Sequence, residues 1–313
     1  GHLEYGLISS IGGLSLLYLP NTPMSHRMVW LMACAFGMAA SYALGLMTHF
    51  LPLAGVGVLA LIAMLVTMVC RFYRVGPPGS LFFVMAAAIG AYTPGTVEEI
   101  PLRVGLLTMG ALLASLIAFV YSLRILRLQP ADPVPPLPAP TFDFVVFDAV
   151  MIGAFVGLSL AIAQALQLDR PYWVPVSCLA VIQGVSLRAV WNRQLQRVLG
   201  TAIGMLLAWS LLSLPLDPWR IALLVIALVF VIESLVVRHY GLAVIFITPL
   251  TILLAEAATL GAAPLAELIA SRFIDTLLGC VVGLAGGICL HSPRFREVVG
   301  GPMRKLVPRR PAR

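Results

Sequence analysis

With 313 residues, 60% of them hydrophobic and 11% charged, this chain has more apolar surface than a soluble fold of its length can bury. Its mean hydropathy of +1.00 excludes an ordinary soluble enzyme or binding module and requires a polytopic membrane protein. The net charge of +7 is no nucleic-acid footprint, because the basic residues sit between apolar runs.

Eleven apolar spans are predicted, at about 3–19, 28–46, 53–70, 80–93, 105–123, 144–166, 172–187, 196–213, 219–237, 241–258 and 270–291. The intervening loops on one side hold Arg27, Arg71, Arg74, Arg124, Arg127, Arg188, Arg193, Arg197, Arg238 and the basic tail. The other side keeps Arg103, Arg170, Arg220 and Arg272. The positive-inside rule puts the first side, with the C-terminus, in the cytoplasm. Cys34, Cys70, Cys178, Cys280 and Cys289 lie in or at the ends of spans without metal-ligand spacing, and read as small apolar fillers. The run opens on no secretory signal pattern.

Along the first half, span 2 repeats small residues every fourth position, Ala33–Gly37–Ser41–Gly45, which allows close helix packing. Span 4 opens with Gly76-Pro77-Pro78-Gly79 and cannot begin as regular helix. A half-helix starting there would turn free N–H groups toward an anion in a wet cavity; the alternative is a tight loop at the membrane surface. Phe82 and Phe83 follow it. Span 5 carries Arg103, then Gly110, Ala114 and Ala118. Gln129–Pro140, QPADPVPPLPAP, is a semi-rigid polyproline spacer.

In the second half, span 6 has the small-residue stripe Ala149–Gly153–Gly157–Ala161–Ala165, and span 8 has Gly200–Gly204–Ala208. Tyr172 and Trp173 begin span 7, where an aromatic belt at the outer interface is expected. Glu233 ends span 9 near Arg238, Phe246 lies in span 10, and Glu256 lies near that span's outer end. Span 11 carries Arg272, Asp275, Gly279, Gly283 and Gly287. Seven Lys and Arg between Arg294 and Arg313 suggest a membrane-surface anchor.

The halves repeat one another. Arg103–Gly110–Ala114–Ala118 matches Arg272–Gly279–Gly283–Gly287, and the hairpin from Arg71 to Phe82-Phe83 matches that from Arg238 to Phe246. Aligning spans 1–5 with 7–11 leaves 144–166 unmatched. The expectation is therefore an all-α membrane protein of two parallel repeats of about six helices, the first helix lying before Gly1. Its parts are residues 1–124 and 144–291, a linker at 125–143, and a tail at 292–313.

Ionisable side chains inside spans are costly and are functional candidates. Arg272 and Asp275, three apart on one face, are expected to pair. Asp275 and Glu256 are proton-coupling candidates; the bland reading of the pair is a structural ion bridge. Arg103 has Leu106 where the second half has the acid, leaving it unpaired in its own helix and free for a carboxylate. Arg197 stands at the cytoplasmic mouth of span 8 with Thr201 one turn on, where its fork suits a carboxylate and where topology alone also puts arginine. The rings of Phe82, Phe83, Tyr92 and Phe246 suit stacking on an aromatic molecule or plain core packing. His26, His49, His239 and His291 are too scattered to hold a metal. No H-E-x-x-H, P-loop or G-x-S-x-G is present, so neither an enzyme nor a cofactor is expected.

Arg170-Pro-Tyr-Trp-Val-Pro175, Gln183 and Gln196-Arg-Val-Leu-Gly-Thr-Ala-Ile-Gly204 resemble the FUSC (fusaric acid resistance) and aromatic acid exporter family. Pro77-Pro-Gly-Ser-Leu-Phe-Phe83 and Arg272-Phe-Ile-Asp-Thr-Leu-Leu-Gly279 are similar to other stretches of it. The resemblance implies a bacterial inner-membrane exporter of aromatic carboxylates, working with a periplasmic adaptor and an outer-membrane channel. It also implies kinship with plant malate-type anion channels. Many members carry a soluble cytoplasmic domain, in place of which this chain has only the spacer and the short tail. The expected function is efflux of small aromatic or hydrophobic carboxylates, driven by the proton gradient or by the cargo's own gradient. The partners are an organic anion and the bilayer, a homodimer being compatible with both. Rival readings are a gated anion channel and a membrane-embedded assembly subunit or lipid enzyme.

Overall fold

Helix α5 (Ile100–Leu128) turns Gly110, Ala111, Ala114, Ala118 and Ser122 inward and Met109, Leu112, Leu116 and Val120 outward. Helix α2 (Met24–Thr48) likewise buries Cys34, Ser41 and Gly45 while Val29, Met32 and Phe36 stand exposed. Large apolar side chains face outward, and the inner faces mix small or hydroxylated residues with a few large ones, Leu31, Met38, Tyr42 and Leu107; this is the arrangement of helices whose solvent is lipid, where close backbone approach drives association.

The structure is a computed structural model that describes residues 3–51, 54–134, 136, 141–214, 217–236, 239–256 and 265–306. The other helices are α1 (Leu3–Gly13), α3 (Gly55–Phe72), α4 (Leu81–Tyr92), α6 (Asp148–Ala165), α7 (Trp173–Ile182), α8 (Leu187–Leu212), α9 (Pro218–Val236), α10 (Tyr240–Glu256), α11 (Leu265–His291) and α12 (Pro293–Leu306). Among the described residues there is no strand. Among the described residues six stretches are long and apolar enough to cross a bilayer: α2, α3, α8, and the stretches Val97–Leu128, Asp143–Ala165 and Ile269–His291. This is an all-α polytopic membrane protein.

The elements depart from the predicted spans in three places. Helices α4 and α7 have 12 and 10 residues, so they reach only about 18 and 15 Å, short of a hydrocarbon core about 30 Å thick. Prolines and glycines before them break the helix on entry, and Gly79 holds φ +62, a left-handed conformation that other residues rarely adopt. Helix α8 begins at Leu187, well before the apolar run, so Arg197 lies about 15 Å along it and not at its mouth. The tail also differs: residues 293–306 are a helix, with Phe295, Val299 and Met303 packed on Phe147, Met151 and Leu290.

The packing recurs between the halves. Helix α1 lies on α5 and α2 on α4 and α5; in the same way α7 lies on α11 and α8 on α10 and α11. Helix α6 packs on α3 as well as on α7 and α11, and α4 touches α7, which joins the halves. Glycines sit at the tightest crossings. A Cβ on Gly110 would collide with the Ser9 carbonyl, and one on Gly279 with the Val174 carbonyl. Gly110→Val and Gly279→Val should therefore destabilise the bundle by at least the roughly 1–3 kcal/mol of ordinary overpacking. Gly105, with nothing within 4 Å of its would-be Cβ, should accept Ala without penalty. Thermal unfolding in detergent, followed by size exclusion, measures both.

Candidate functional site

Because α4 and α7 stop short, the bundle encloses space that full-length helices would fill. A cavity of about 1960 Å³ runs between the halves, lined from α1, α3, α4, α5 and α7 to α11. One end is bordered by Arg71, Arg74, Pro77, Pro78, Arg193 and Gln196, the other by Thr93, Pro94, Glu99 and Arg103. It exceeds the roughly 300–1,000 Å³ of a usual small-molecule pocket, and it follows α4 from one end to the other.

Two guanidinium groups stand on the second-half wall of this cavity, Arg197 from α8 and Arg272 from α11. Each is only 5% exposed. Arg272 lies over the ring of Trp173, its Cζ 3.7 Å from the ring centroid, and its Nη2 gives a long bond of 3.4 Å to Thr251 Oγ1. Its Nε and Nη1 have no hydrogen-bond partner. Arg197 Nη2 donates to Ser177 Oγ at 3.4 Å, and its Nε has no partner. The two cations act electrostatically on one another. Buried donors are normally satisfied, and buried like charges at low dielectric repel strongly. An anion between them answers both deficits.

Another buried arginine shows what a satisfied one looks like. Arg27, 2% exposed, donates from Nε to the Thr22 carbonyl at 2.6 Å, from Nη2 to Asn21 Oδ1 at 2.5 Å and from Nη1 to Ser122 Oγ at 3.3 Å. Its donors are used within the protein, which is a structural role.

Contacts within and between the halves lie near both ends of the cavity. Ser80, ahead of α4, meets Thr67 Oγ1 at 2.9 Å and accepts from Gln183 Nε2 of the second half at 2.8 Å. Tyr18 donates to the Gly79 carbonyl at 2.8 Å. At the opposite end Tyr92 packs on Tyr172, ring centroids 5.8 Å apart, and accepts from Gln164 Nε2 at 2.6 Å. Near the basic mouth, Asp148 of α6 takes Arg71 Nη1 of α3 at 2.5 Å on one oxygen and Arg296 of α12 on the other.

The structure brings Arg103, Arg197, Arg272, Pro77, Pro78 and Phe82 to one cavity and leaves other candidates elsewhere. Phe83 is 5% exposed and packs against Gly37 and Tyr18, because α4 turns it toward α2. Phe246 belongs to the apolar contact of α9 with α10, and Thr201 is buried off the cavity. Arg103 is not unpaired: Glu99, one turn earlier, accepts from its Nη2 at 2.7 Å. Arg272 and Asp275 do not pair, since Trp173 and Thr251 hold the guanidinium away. Trp173 is therefore a buried support for Arg272 and not a member of a surface belt. The Pro77–Pro78 turn lies at the cavity mouth, Pro77 being exposed. The side chain of Glu256 and all of Arg238 lie outside the described residues. Ser177, Thr251 and Asp148 do not stand out in the sequence. The only signals are an isolated acid opening α6 and hydroxyls on the inner faces of apolar helices.

Comparison with known proteins agrees with this architecture. Residues 149–286, spanning α6 to most of α11, match the family described as Fusaric acid resistance protein-like. The chain is 34% identical over 146 residues to an uncharacterized membrane protein, YvaC, of Bacillus subtilis (strain 168). That alignment takes in 45% of this chain and 23% of the relative. No solved structure matches.

Asp148 gives a test of the charge network at the mouth. Asp148→Asn leaves two guanidinium groups without their anion and should cost about 3–5 kcal/mol, as breaking a buried pair does. Arg296→Gln, which leaves Asp148 with Arg71, should cost less. Chemical or thermal unfolding in detergent checks the order.

Proposed function

We propose that this membrane protein, a member of the fusaric acid resistance protein-like family through residues 149–286, is a permease for small organic anions. Its cargo is an aromatic or otherwise hydrophobic carboxylate. The observation that carries the reading is the pair Arg197 and Arg272, buried beside a cavity with donors that no protein acceptor takes. A carboxylate lying between them accepts from Nε of Arg197 and from Nε or Nη1 of Arg272. Charge-assisted bonds of this kind are about twice as strong as neutral ones. The apolar body of the cargo then lies against Phe82, Met85 and Ile89 on the first-half wall.

Transport needs the cargo to leave by the end opposite its entry. The contacts of Gln183 with Ser80 and of Tyr92 with Tyr172 and Gln164 are few, polar or edge-on, and suited to opening in turn. We place the protein in a bacterial inner membrane with the arginine-rich end, and the C-terminus, in the cytoplasm. Cargo enters there and leaves outward, to a periplasmic adaptor and outer-membrane channel where these exist. The protein acts as one copy or as a homodimer. Drive comes from the cargo's own gradient, and Asp275 is the group through which a proton gradient acts on the cycle. A gated channel is the second reading, favoured by a cavity that borders both ends of α4.

Uptake of labelled aromatic acids into inside-out vesicles tests the proposal. Wild type should take up at least one acid saturably, and Arg272→Gln and Arg197→Gln should each lower uptake about tenfold or more, the worth of one charged hydrogen bond. Unitary currents in planar bilayers would favour the channel. Absence of uptake of every acid overturns the carboxylate assignment.

A further inference from the structure

One buried carboxylate beside this cradle is incompletely hydrogen-bonded. Asp275, three residues after Arg272 on α11, is 1% exposed, and its Oδ2 has no hydrogen-bond partner. The neighbouring guanidinium is committed elsewhere, to the Trp173 ring and to Thr251. The charged groups acting on Asp275 are Arg272 on its own helix, and Arg170 and Asp169 in the loop before α7. Arg197, on α8, acts on Arg272 from the other side. Asp169 is exposed, so the loop beside Asp275 reaches water.

If Arg197 and Arg272 seat an anion, the premise on which this inference rests, the charge on Asp275 depends on whether the cradle is full. With the cradle empty, the nearby guanidinium of Arg272 offers Asp275 an opposite charge that offsets part of the cost of burying it ionised. An anion seated on Arg272 consumes that field and puts a second negative charge beside the carboxylate. Two like charges sharing one desolvated site do not both persist, and the group that can take a proton does so. An ionised carboxylate buried without a hydrogen bond is also costly in itself.

We propose that Asp275 takes up a proton when the Arg197–Arg272 cradle takes up an anion, so that proton and anion load together. The step is a simple addition: one proton from water to a carboxylate oxygen, with no bond broken in the cargo. Linkage is reciprocal, so a lower pH tightens anion binding as much as the anion favours protonation. The sign has a consequence for transport. A proton that travels with the cargo makes an inward proton gradient resist export, and outward movement must be driven by the cargo's own gradient.

The test uses the full chain in detergent and benzenesulfonate, which stays anionic across the working range, so any pH dependence belongs to the protein. Affinity is measured between about pH 5 and about pH 8, with proton uptake followed by an indicator in weak buffer. Wild-type affinity should rise by up to about tenfold per pH unit as pH falls, with protons taken up on binding. Asp275→Asn should bind at the tight, low-pH affinity throughout and take up none. Binding by wild type at one affinity across the range, without proton uptake, overturns the proposal and leaves the cradle standing. So does a wild-type pH dependence that survives in Asp275→Asn. Failure of wild type to bind at any pH overturns the cradle, and the proton coupling with it. The wild-type proton count decides the matter even if the variant does not fold.

Discussion

A guanidinium inside a membrane bundle cannot shed its proton, so the protein must supply an acceptor, a π face or a route to water. This chain meets the requirement in two ways. Arg27 is enclosed by Thr22, Asn21 and Ser122, and Arg71 and Arg296 share Asp148, so these cations are spent on holding helices together. Arg197 and Arg272 are held by a ring and two long hydroxyl contacts that fix their positions without satisfying their donors. The first treatment makes structure. The second leaves buried donors that no protein acceptor takes, among the described residues.

That site depends on packing elsewhere. Two positive charges stay adjacent only if the helices bearing them cannot slide apart, and the glycines supply that rigidity. Gly279 and Gly283 seat α11 on the backbone of α7, which fixes Trp173 beneath Arg272. Gly200 and Gly204 seat α8 on α10, which sets Arg197 and Thr251 on the same side of the cavity. The short span of α4 and α7 does the opposite work, withholding side chains so that the cavity exists. The result is close packing around an under-filled centre.

Much of the architecture was legible in the sequence, because burial in lipid leaves a coarse signature: long apolar runs, small residues every fourth position, arginine loops on alternate sides. The repeat was legible for the same reason, through Gly110 and Gly279. What could not be read was which way each ring and charge points. Phe82 and Phe83 are neighbours in sequence, yet one lines the cavity and the other fills the α2 contact, and about 100° of helix rotation separates the two. Glu99 stands outside the apolar run, so Arg103 looked free. The spacing of Arg272 and Asp275 permitted a pair, but Trp173, about 100 residues away in sequence, competes for the same guanidinium, and no local pattern reports that. The start of α8 was missed because Arg188 and Arg193 interrupt the hydropathy without interrupting the helix.

The two halves share a scaffold but not a chemistry. Gly200 of α8 receives Val244 of α10, and Gly37 of α2 receives the ring of Phe83 of α4. Three residues before Gly200 stands Arg197; three residues before Gly37 stands Cys34, buried and uncharged. Arg103 corresponds to Arg272, yet Glu99 neutralises it at the rim while Trp173 and Thr251 leave Arg272 charged and unsatisfied in the interior. The packing thus recurs between the halves, while the buried cationic pair stands in the second alone among the described residues. The cavity carries its two buried guanidinium groups on the second-half wall, with Phe82, Met85 and Ile89 among the residues of the first. Under the proposed function, such a cavity orients a cargo that has a charged end and an apolar body, and a small symmetric ion gains nothing from the apolar residues.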